Sequence, residues 1–335
     1  MNLPQRISIL GKLGKLILSD EKSWLEAQQR AVQENAWFIP EFQDQAMKHI
    51  AHEWLQEEAL TAWAREAGIP PQPKEVKTIG IVMAGNIPLV GFHDWLCVFM
   101  AGHRSKIKPS SKDKALISYL LTKIVEWEPE LKVEHTLEER LNGCDAYIAT
   151  GSNNSSRYFD YYFSKFPHII RRNRTSVAIL SGEESKDQLL ALADDVHLYF
   201  GLGCRNVTKL YVPQGYNFIP LLDAFKKYSF LADNHKYKNN YDYNLALHIL
   251  NNKYYMTNGS ILLVEEPNLF APVSQLNFEY YDTLPRLLDT ITTHPDLQCL
   301  VGAGGIPFGS GQKPRLNDYA DGVNTLDFLT KKMLN

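Results

Sequence analysis

Apolar and polar positions along the chain follow two different periods. Roughly the first 70 residues show the three-to-four-residue spacing of amphipathic helices, most clearly over residues 40–68, where Gly68 and the following "IPPQP" end the pattern. From residue 77 onward, short apolar runs such as "TIGIVMA" alternate with helical stretches such as "LVGFHDWLCVFMAG". Strand alternating with helix predicts a mostly parallel sheet covered on both faces. The pattern therefore predicts an α/β fold preceded by an N-terminal helical segment.

The alternation restarts near residue 183, which predicts two α/β units. Strands are expected at "KTIGIVMA", "RSKIKP", "DAYIAT" and "TSVAILS" in the first unit, and at "VTKLYVP", "SILLVEE" and "LQCLVG" in the second. The predicted organisation is an N-terminal helical segment (1–74), a first α/β unit (75–182), a second α/β unit (183–305) and a Gly/Pro-rich, then polar, C-terminal segment (306–335).

Three polar stretches directly follow predicted strands of the first unit. They read "AGNIP", "KPSSKD" and "ATGSNNSS". Ligands of open parallel sheets bind beyond the carboxyl ends of the strands. We therefore expect these three stretches to share one edge of the sheet and to form a binding site there.

Composition and charge exclude several classes of partner. The 335 residues carry a net charge of −3, with 44% hydrophobic and 22% charged residues, so no basic field favours nucleic acid or anionic lipid. No apolar run reaches the ~18–20 residues of a membrane span. The amphipathic N-terminus lacks signal-peptide architecture, and its packing on a core is favoured over a membrane-surface role. These features predict a cytoplasmic protein without an integral membrane segment.

The four cysteines, at positions 97, 144, 204 and 299, have no metal-like spacing, which predicts reduced thiols and no metal site. Cys204 has a distinctive setting, "YFGLGCRNVTKLYVP", just after Gly201 and Gly203 and before a β-rich run. Glycines without a Cβ let the backbone approach a ligand closely. The setting favours a reactive nucleophile over the alternative, a buried structural thiol.

Four segments, in order, resemble the aldehyde dehydrogenase superfamily, and most of all its acyl-CoA reductase (LuxC-type fatty-acid reductase) branch. They are "MAGNIPLVGFHDWLCVFMAGHRSKIKPSSKD", "YIATGSNNSS", "GLGCRN", and the pair "EEPNLFAPV" and "IPFGSGQK". Together they span about residues 75–315. The resemblance implies an aldehyde-dehydrogenase-like fold, with a Rossmann-like cofactor-binding domain at 75–182 and a catalytic domain with the cysteine loop at 183–305.

The resemblance also implies catalytic roles. Cys204 would form a thioester with an acyl carbon, and the side-chain amide of Asn86 with the backbone N–H of Cys204 would stabilise the oxyanion. The alternative for Asn86 is a turn residue, since "GN" before proline is a turn signal.

Cofactor contacts are implied for residues in both units. Lys108 would reach the adenosine ribose, unless it is an exposed strand-end lysine. Ser152 would open a helix on the pyrophosphate, unless it is only an N-cap. Glu266 or Glu265, with Phe270, would hold the nicotinamide end, unless neither glutamate does, since "EEPNLFAPV" spaces Glu and Phe more widely than the usual family pattern. The full set is Lys108, Ser110, Ser111, Lys112, Gly151, Ser152, Glu266 and Phe270.

The cofactor is expected to be NADP(H), with NAD(H) as the alternative. NAD-preferring relatives often carry a carboxylate two residues after the proline of the strand-end motif, but Ser111 stands there and Lys112 follows. An acid would repel a 2′-phosphate, whereas Lys112 can pair with it.

The sequence departs from hydrolytic aldehyde dehydrogenases where those carry a Glu-Leu-Gly-Gly-Lys segment. Residues 168–182 read "HIIRRNRTSVAILSG" and contain no acid. Without a general base, attack of water on a thioester is poorly supported. Arg171, Arg172 and Arg174 are candidates for contacts to phosphates, or for solvated surface charge.

These features favour NADP(H)-dependent reduction of an acyl-CoA to an aldehyde through an acyl-cysteine. The alternatives are an acyl-phosphate reductase or aldehyde dehydrogenase using the same cysteine, and a non-catalytic relative that binds nucleotide or a partner protein. The expected partner is acyl-CoA or another activated acyl substrate, and a homo-oligomer is an open alternative to a monomer. Phe92, Trp95 and Phe99 suit an apolar acyl tail, or else pack a helix into the core.

Overall fold

The computed structural model describes residues 1–331, which form two compact units. The first unit contains Met1–Asn173 and the chain from Arg315 onward, and the second contains Arg174–Pro314. The chain thus passes between units near residues 173 and 314, whereas the sequence pattern set the boundaries after 182 and 305. The last four residues of the predicted C-terminal segment lie outside the described part of the chain.

The first unit is built on a parallel five-stranded sheet in the order β3-β2-β1-β4-β5. The order reverses between β1 and β4, which is the switch point at which doubly wound sheets bind ligands. The strands are β1 (Thr78–Val82), β2 (Arg104–Lys108), β3 (His135–Leu137), β4 (Ala146–Thr150) and β5 (His168–Arg171).

Helices of the first unit cover this sheet and one another. The connecting helices are α5 (Phe92–Ala101), α6 (Ala115–Trp127), a 3-10 turn (Pro129–Val133) and α7 (Asn153–Phe163). The preceding helices are α1 (Leu3–Ile17), α2 (Lys22–Glu34), α3 (Pro40–His49), a π-helix (Ile50–Trp54) and α4 (Glu57–Glu66). The amphipathic pattern over 40–68 thus corresponds to α3, the π-helix and α4.

The N-terminal helix α1 packs against the core of its unit. Its first turn is closed by a capping box between Asn2 and Gln5. Leu10 and Leu13 are fully buried, and the helix contacts α4, α5 and α6. No helix among residues 1–331 is long and apolar enough to cross a membrane.

The second unit holds a six-stranded sheet in the order β11-β6-β7-β10-β9-β8, parallel except for β8 at one edge. The strands are β6 (Thr175–Ile179), β7 (Val207–Pro213), β8 (Met256–Thr257), β9 (Leu262–Glu265), β10 (Gln275–Tyr281) and β11 (Leu297–Gly302). The helices are α8 (Lys186–His197), 3-10 turns (Leu198–Gly201 and Phe225–Asp233), α9 (Ile219–Ala224), α10 (His235–Leu250) and α11 (Leu284–Ile291).

Two sequence assignments needed correction in this unit. The run at 175–181 was grouped with the first unit, but β6 pairs with β7 and β11 in the second sheet. Its apolar pattern shows only that the strand is buried, and not which sheet buries it. The strand β10 was not predicted at all, because Asn277 and Glu279 interrupt its apolar run. Both side chains have partners in the folded unit: the Asn277 amide donates to the carbonyl groups of Asn268 and Phe270, and Glu279 pairs with the buried Lys209.

The C-terminal segment was expected to be polar loop after its Gly/Pro-rich start. Instead, a 3-10 turn (Ala320–Gly322) is followed by helix α12 (Thr325–Thr330), which packs on α5 in the first unit. Leu326 and Leu329 are fully buried there. The sequence pattern missed this helix because it is short and offers only three apolar positions.

Candidate functional site

The three polar stretches predicted to share an edge lie together at the carboxyl end of the first sheet. Val82, the last residue of β1, pairs with Lys108 at the end of β2 and with Ala149 near the end of β4. The loops that begin at Met83, Pro109 and Gly151 therefore leave the sheet side by side. This confirms the expected arrangement of the three loops within the first unit.

Close packing holds the first two loops together. A Cβ built on Gly85 would lie 2.5 Å from Ser110 Oγ, so only glycine lets the two loops touch there. The buried Asn35 donates its side-chain amide to the carbonyl of Lys112 at 3.1 Å and, more weakly, to that of Gly85 at 3.5 Å. Asn35 thus links the loop that bears Asn86 to the loop that bears Ser111 and Lys112.

A buried carboxylate supports the same region. Asp113 Oδ2 accepts the backbone N–H of Leu89 at 2.7 Å, and Leu89 is a non-glycine residue with φ of 52°. Asp113 Oδ1 is buried and has no hydrogen-bond partner among the described residues. Burial raises the pKa of Asp113 to about 7, although the bond from Leu89 opposes that shift. The turn after Asn86 is therefore held by a group that changes charge near neutral pH.

The predicted cofactor-contacting side chains of the first unit are mostly open to solvent. Lys108, Ser111, Lys112 and Ser152 are exposed, as is Asn86, and Ser110 and Gly151 are half-buried. Ser152 is the N-cap of α7, and its hydroxyl accepts the N–H of Ser155 at 3.3 Å. A Cβ on Gly151 would lie 2.9 Å from Ser155 Cβ and Phe159, so this glycine is also required for helix packing.

In the second unit, Cys204 lies in a turn between α8 and β7, half exposed. The chain enters this turn through three successive left-handed residues, Tyr199, Phe200 and Gly201, with φ of 56°, 58° and 72°. Such backbone costs about 1–3 kcal/mol for each non-glycine residue. Burial of the two aromatic side chains offsets part of that cost. Gly201 is needed here for its φ, since a Cβ would meet Val196 O at an ordinary 3.5 Å.

Asn206 fixes the shape of the cysteine turn. It is fully buried, and its Oδ1 accepts the Gly203 N–H at 2.8 Å. Its Nδ2 faces the carbonyl oxygens of Asp195 at 3.1 Å, Val196 at 3.3 Å and Leu198 at 2.9 Å. One amide thus bonds both to the turn around Cys204 and to the end of α8.

A serine on the neighbouring strand holds the other side of the turn. The hydroxyl of Ser176, on β6, donates to the Cys204 carbonyl at 3.1 Å. It also lies 3.0 Å from the sulfur of Cys299 and accepts the Cys299 N–H at 3.2 Å. The Cys204 turn is therefore anchored to both α8 and β6.

The glycine-rich stretch "PFGSGQ" is tied to the end of α8 by Asp195. The buried Asp195 carboxylate accepts the N–H groups of Gly309 at 2.6 Å and Gly311 at 2.8 Å. Burial raises its pKa to about 6, against the lowering effect of these two bonds. Nearby His197 is neutral at physiological pH, because burial lowers its pKa to about 4.

Glu266 and Phe270 both lie on the segment that connects β9 to β10. Glu266 follows the carboxyl end of β9 and pairs with Lys253. Beyond Phe270, whose carbonyl accepts a bond from Asn277 at 3.1 Å, residues 271–275 line a cavity of about 20 Å³ with Phe200 and Gly201. The stretch after Phe270 is thus near the cysteine turn. Glu265 lies farther along the sheet: through Phe278 of β10 it is in register with Leu210 of β7, which is about 10 Å from Val207, the first residue of β7.

Several residues considered for ligand contacts serve the core of the first unit instead. Phe92, Trp95 and Phe99 are almost completely buried, so the packing alternative describes them. Arg171 is buried against Asp94, with Nε to Oδ2 at 3.2 Å and Nη2 to Oδ1 at 2.7 Å, and is committed to that carboxylate rather than to a phosphate.

The other two arginines of that stretch also have protein partners. Arg172 pairs with Asp160 at the surface, and Arg174 donates to the Leu297 carbonyl at 3.0 Å.

Sequence reasoning missed the residues that hold the site in shape, namely Asn35, Asp113, Ser176, Asp195 and Asn206. Only Asn206 had a local signal, its position two residues after Cys204 in "GCRN". The partners of the others are distant in sequence. Among residues 1–331, no group of three or more metal-ligating side chains could hold a metal ion.

Comparison with known proteins identifies the fold. No family model matches the sequence, and no curated protein matches it. Solved structures do match, including aldehyde dehydrogenase 21 from Physcomitrella patens in complex with succinate, with a TM-score of 0.71 and 11% identity over 99% of this chain and 85% of that chain.

Two further matches are similar. An NAD-dependent aldehyde dehydrogenase from Sinorhizobium meliloti has a TM-score of 0.68 and 12% identity, over 90% of this chain and 70% of that one. The Mycobacterium tuberculosis aldehyde dehydrogenase complexed with NAD+ has a TM-score of 0.62 and 13% identity, over 90% and 73%. The chain therefore has the aldehyde-dehydrogenase-like fold.

Proposed function

We propose that this protein is a nicotinamide-dinucleotide-dependent oxidoreductase that acts on acyl groups through a covalent bond to Cys204. More specifically, we propose that it reduces acyl-CoA thioesters to aldehydes with NADPH. The observation that carries the proposal is the Cys204 turn, which hydrogen bonds from Asn206 and Ser176 fix within an aldehyde-dehydrogenase-like fold. A thiol kept only for packing needs no such support.

The proposed reaction has two stages. The Cys204 thiolate attacks the thioester carbonyl, and the C–S bond to coenzyme A breaks, so that coenzyme A leaves as a thiolate and an acyl-cysteine remains. The reduced cofactor, when bound, supplies a hydride to the acyl carbon. Cleavage of the bond to Cys204 then releases the aldehyde and regenerates the thiolate. The Asn86 amide is proposed to stabilise the oxyanion in each stage.

Reduction is favoured over oxidation by the chemistry of residues 168–182. Hydrolysis of an acyl-cysteine needs a general base, and this stretch has no acid. Within this stretch, Arg171 pairs with Asp94, and the Asp94 carboxylate also accepts a hydrogen bond from the Thr325 hydroxyl at 3.3 Å. The Arg171 guanidinium and these bonds hold the pKa of Asp94 below its usual value despite burial. A carboxylate so bound is a poor proton acceptor for water.

The residues of the first unit fit a dinucleotide. The carboxyl edge of its sheet lies at the switch point between β1 and β4, and Gly85 and Ser110 bring two loops together there. In the proposal, Ser152 at the start of α7 is near the pyrophosphate, and Lys108, Ser111 and Lys112 are near the adenosine ribose and its 2′-phosphate. Exposed Lys112 is the residue that would favour NADPH.

The test is to look for the acyl-cysteine directly. The protein is incubated without cofactor with acyl-CoAs of several chain lengths, and adducts are mapped by mass spectrometry of its peptides. We expect one acyl group, on Cys204, which is absent from Cys204→Ala and retained in Cys299→Ala, a matched control beside the same serine. Addition of NADPH should then release aldehyde, and Cys204→Ala should retain less than about 1% of the turnover.

Other outcomes identify the alternatives. Acylation by an acyl phosphate but not by acyl-CoA would make the protein an acyl-phosphate reductase. Oxidation of aldehydes with NADP+ or NAD+ but no acylation by either donor would make it an aldehyde dehydrogenase. A protein that binds NADPH but is never acylated and turns over no aldehyde would be a non-catalytic nucleotide-binding relative, and the proposal would be wrong.

A further inference from the structure

Two arginines of the first unit are almost completely buried, and they differ in one respect. Arg6 and Arg171 each expose only 3% of their surface. Arg171 binds Asp94 with both Nε and Nη2. Arg6 donates Nη1 to the Met1 carbonyl at 2.8 Å, but its Nε and Nη2 have no hydrogen-bond partner among residues 1–331.

Nε and Nη2 form one edge of the guanidinium, and that edge fits two oxygens of a carboxylate or phosphate. In Arg171 this edge is filled by Asp94. In Arg6 the protein supplies no acceptor to the same edge. A buried guanidinium without an acceptor is costly, so an external acceptor at this position would stabilise the folded protein.

The unpaired edge belongs to a residue that lines a cavity of about 210 Å³. Gly102, at the end of α5, makes room for the guanidinium, since a Cβ there would lie 2.8 Å from Arg6 Nη1. His103 and His135, just before β2 and at the start of β3, also line the cavity. With about 30 Å³ per liquid water molecule, the volume suits a small ligand rather than one of drug size.

Two charged side chains of opposite sign, Arg6 and Glu134, line the cavity. Burial lowers the pKa of Arg6 to about 10, so the guanidinium remains charged at neutral pH. Burial lowers the pKa of His135 to about 3 and also lowers that of His103, so both are neutral. Half-buried Glu134 lies near enough to oppose the effect of burial on the Arg6 pKa, but it accepts no hydrogen bond from Arg6.

We propose that this cavity binds a small oxyanion, a phosphate or a carboxylate, at the guanidinium of Arg6. Its Nε and Nη2 are shielded from solvent in this structure, so the guanidinium must turn toward the cavity to bind the ligand. The cavity lies at the amino ends of β2 and β3. The proposed cofactor loops lie at the opposite, carboxyl ends of the same sheet. The oxyanion site is thus separate from the cofactor site and does not rest on the proposed function.

The probes are inorganic phosphate and acetate, titrated in parallel arms into the full-length protein at constant ionic strength set with sodium chloride. Binding is measured by calorimetry and by thermal unfolding followed through tryptophan fluorescence. All six tryptophans lie between positions 24 and 127, so this signal reports on the first unit. We expect saturable stabilisation by one anion per chain; the arm with the tighter binding shows whether the ligand group is a phosphate or a carboxylate.

Three variants locate the site. Arg6→Lys keeps the charge but loses the two-donor edge, and should weaken binding at least about tenfold. Glu134→Gln removes the opposing charge and should tighten binding several-fold. Arg104→Lys makes the same chemical change at an exposed residue of β2 and should bind like the wild type.

Three results would overturn the inference. One is an effect of neither anion beyond that of sodium chloride, which would mean that only water meets the Arg6 edge. Another is unchanged affinity in a folded Arg6→Lys variant, since the anion would then bind elsewhere. If Arg6→Lys does not fold, Glu134→Gln decides, and unchanged affinity in that variant refutes the proposal.

Discussion

Replacing Asn206 with alanine tests whether the hydrogen bonds that hold the turn around Cys204 matter for chemistry. The fully buried amide accepts one hydrogen bond, from Gly203, and has two hydrogens to share among three carbonyl oxygens. Its loss removes the two hydrogen bonds that it donates, worth about 1 kcal/mol each, and leaves the Gly203 N–H unpaired, at a cost of about 1–3 kcal/mol. We expect Asn206→Ala to lower the free energy of unfolding by about 3–5 kcal/mol.

Asn277 provides a matched control in the same unit. It is also buried, accepts one bond from Gln275 at 2.9 Å and donates to the carbonyls of Asn268 and Phe270 at 2.9 and 3.1 Å. Asn277→Ala should therefore destabilise the protein by a similar amount. Its bonds, however, support the segment before β10 and not the Cys204 turn.

The assay separates stability from reactivity. Unfolding of both units is followed by circular dichroism in urea, because the second unit contains no tryptophan and gives no tryptophan fluorescence signal. Reactivity is the rate at which acyl-CoA acylates Cys204 without cofactor. We expect a loss of about 10²-fold in Asn206→Ala, since small misplacements of a nucleophile have effects of that size, and little change in Asn277→Ala. Equal acylation rates in two equally destabilised variants would refute the positioning role of Asn206.

Three further predictions concern the first unit. Asn86→Ala should lower turnover by about 10²–10³-fold, the effect of losing one oxyanion donor. The melting temperature should change little, because the Asn86 side chain is exposed. An unchanged rate, or a large fall in melting temperature, would make Asn86 structural. The wild type should bind NADPH about tenfold more tightly than NADH in titrations at low salt, and Lys112→Glu should erase that preference. Lys132→Glu, the same change at another exposed lysine, should keep it. Equal wild-type affinities for the two cofactors would contradict the cofactor assignment. Asp113→Asn should change the pH dependence of stability. The folded-state pKa of Asp113, about 7, lies above the usual value, so wild-type stability from this group is present at low pH and is lost as pH rises from about 4 to 7, by up to about 4 kcal/mol. The variant should therefore melt above the wild type at pH 8 and converge with it near pH 4; a constant difference across this range would show that Asp113 is not buried as an acid.

Local pattern was sufficient for the parts of this protein that depend on nearby residues. The apolar runs that became β1, β2, β4, β7 and β9 are bounded by turn residues, and each buries side chains regardless of which strand lies beside it. Because all strands of a βαβ sheet run in the same direction, the loops after β1, β2 and β4 had to meet at one edge. The sequence alone therefore predicted the α/β class and the shared position of Asn86, Ser111 and Ser152.

Only the tertiary structure decided which elements belong together and what holds the candidate site. An apolar run at 175–179 is compatible with either sheet, and the choice of the second depends on pairing with β7 and β11. The polar residues of β10 look unfavourable in a buried strand until the Asn268 carbonyl faces Asn277 and Lys209, 70 residues away, pairs with Glu279. Arg6 and Arg171 are indistinguishable as residue types. Burial makes them different, because acceptors that water would supply at the surface must come from the protein. Asp94 supplies them to Nε and Nη2 of Arg171, whereas no residue among 1–331 supplies them to the same two atoms of Arg6.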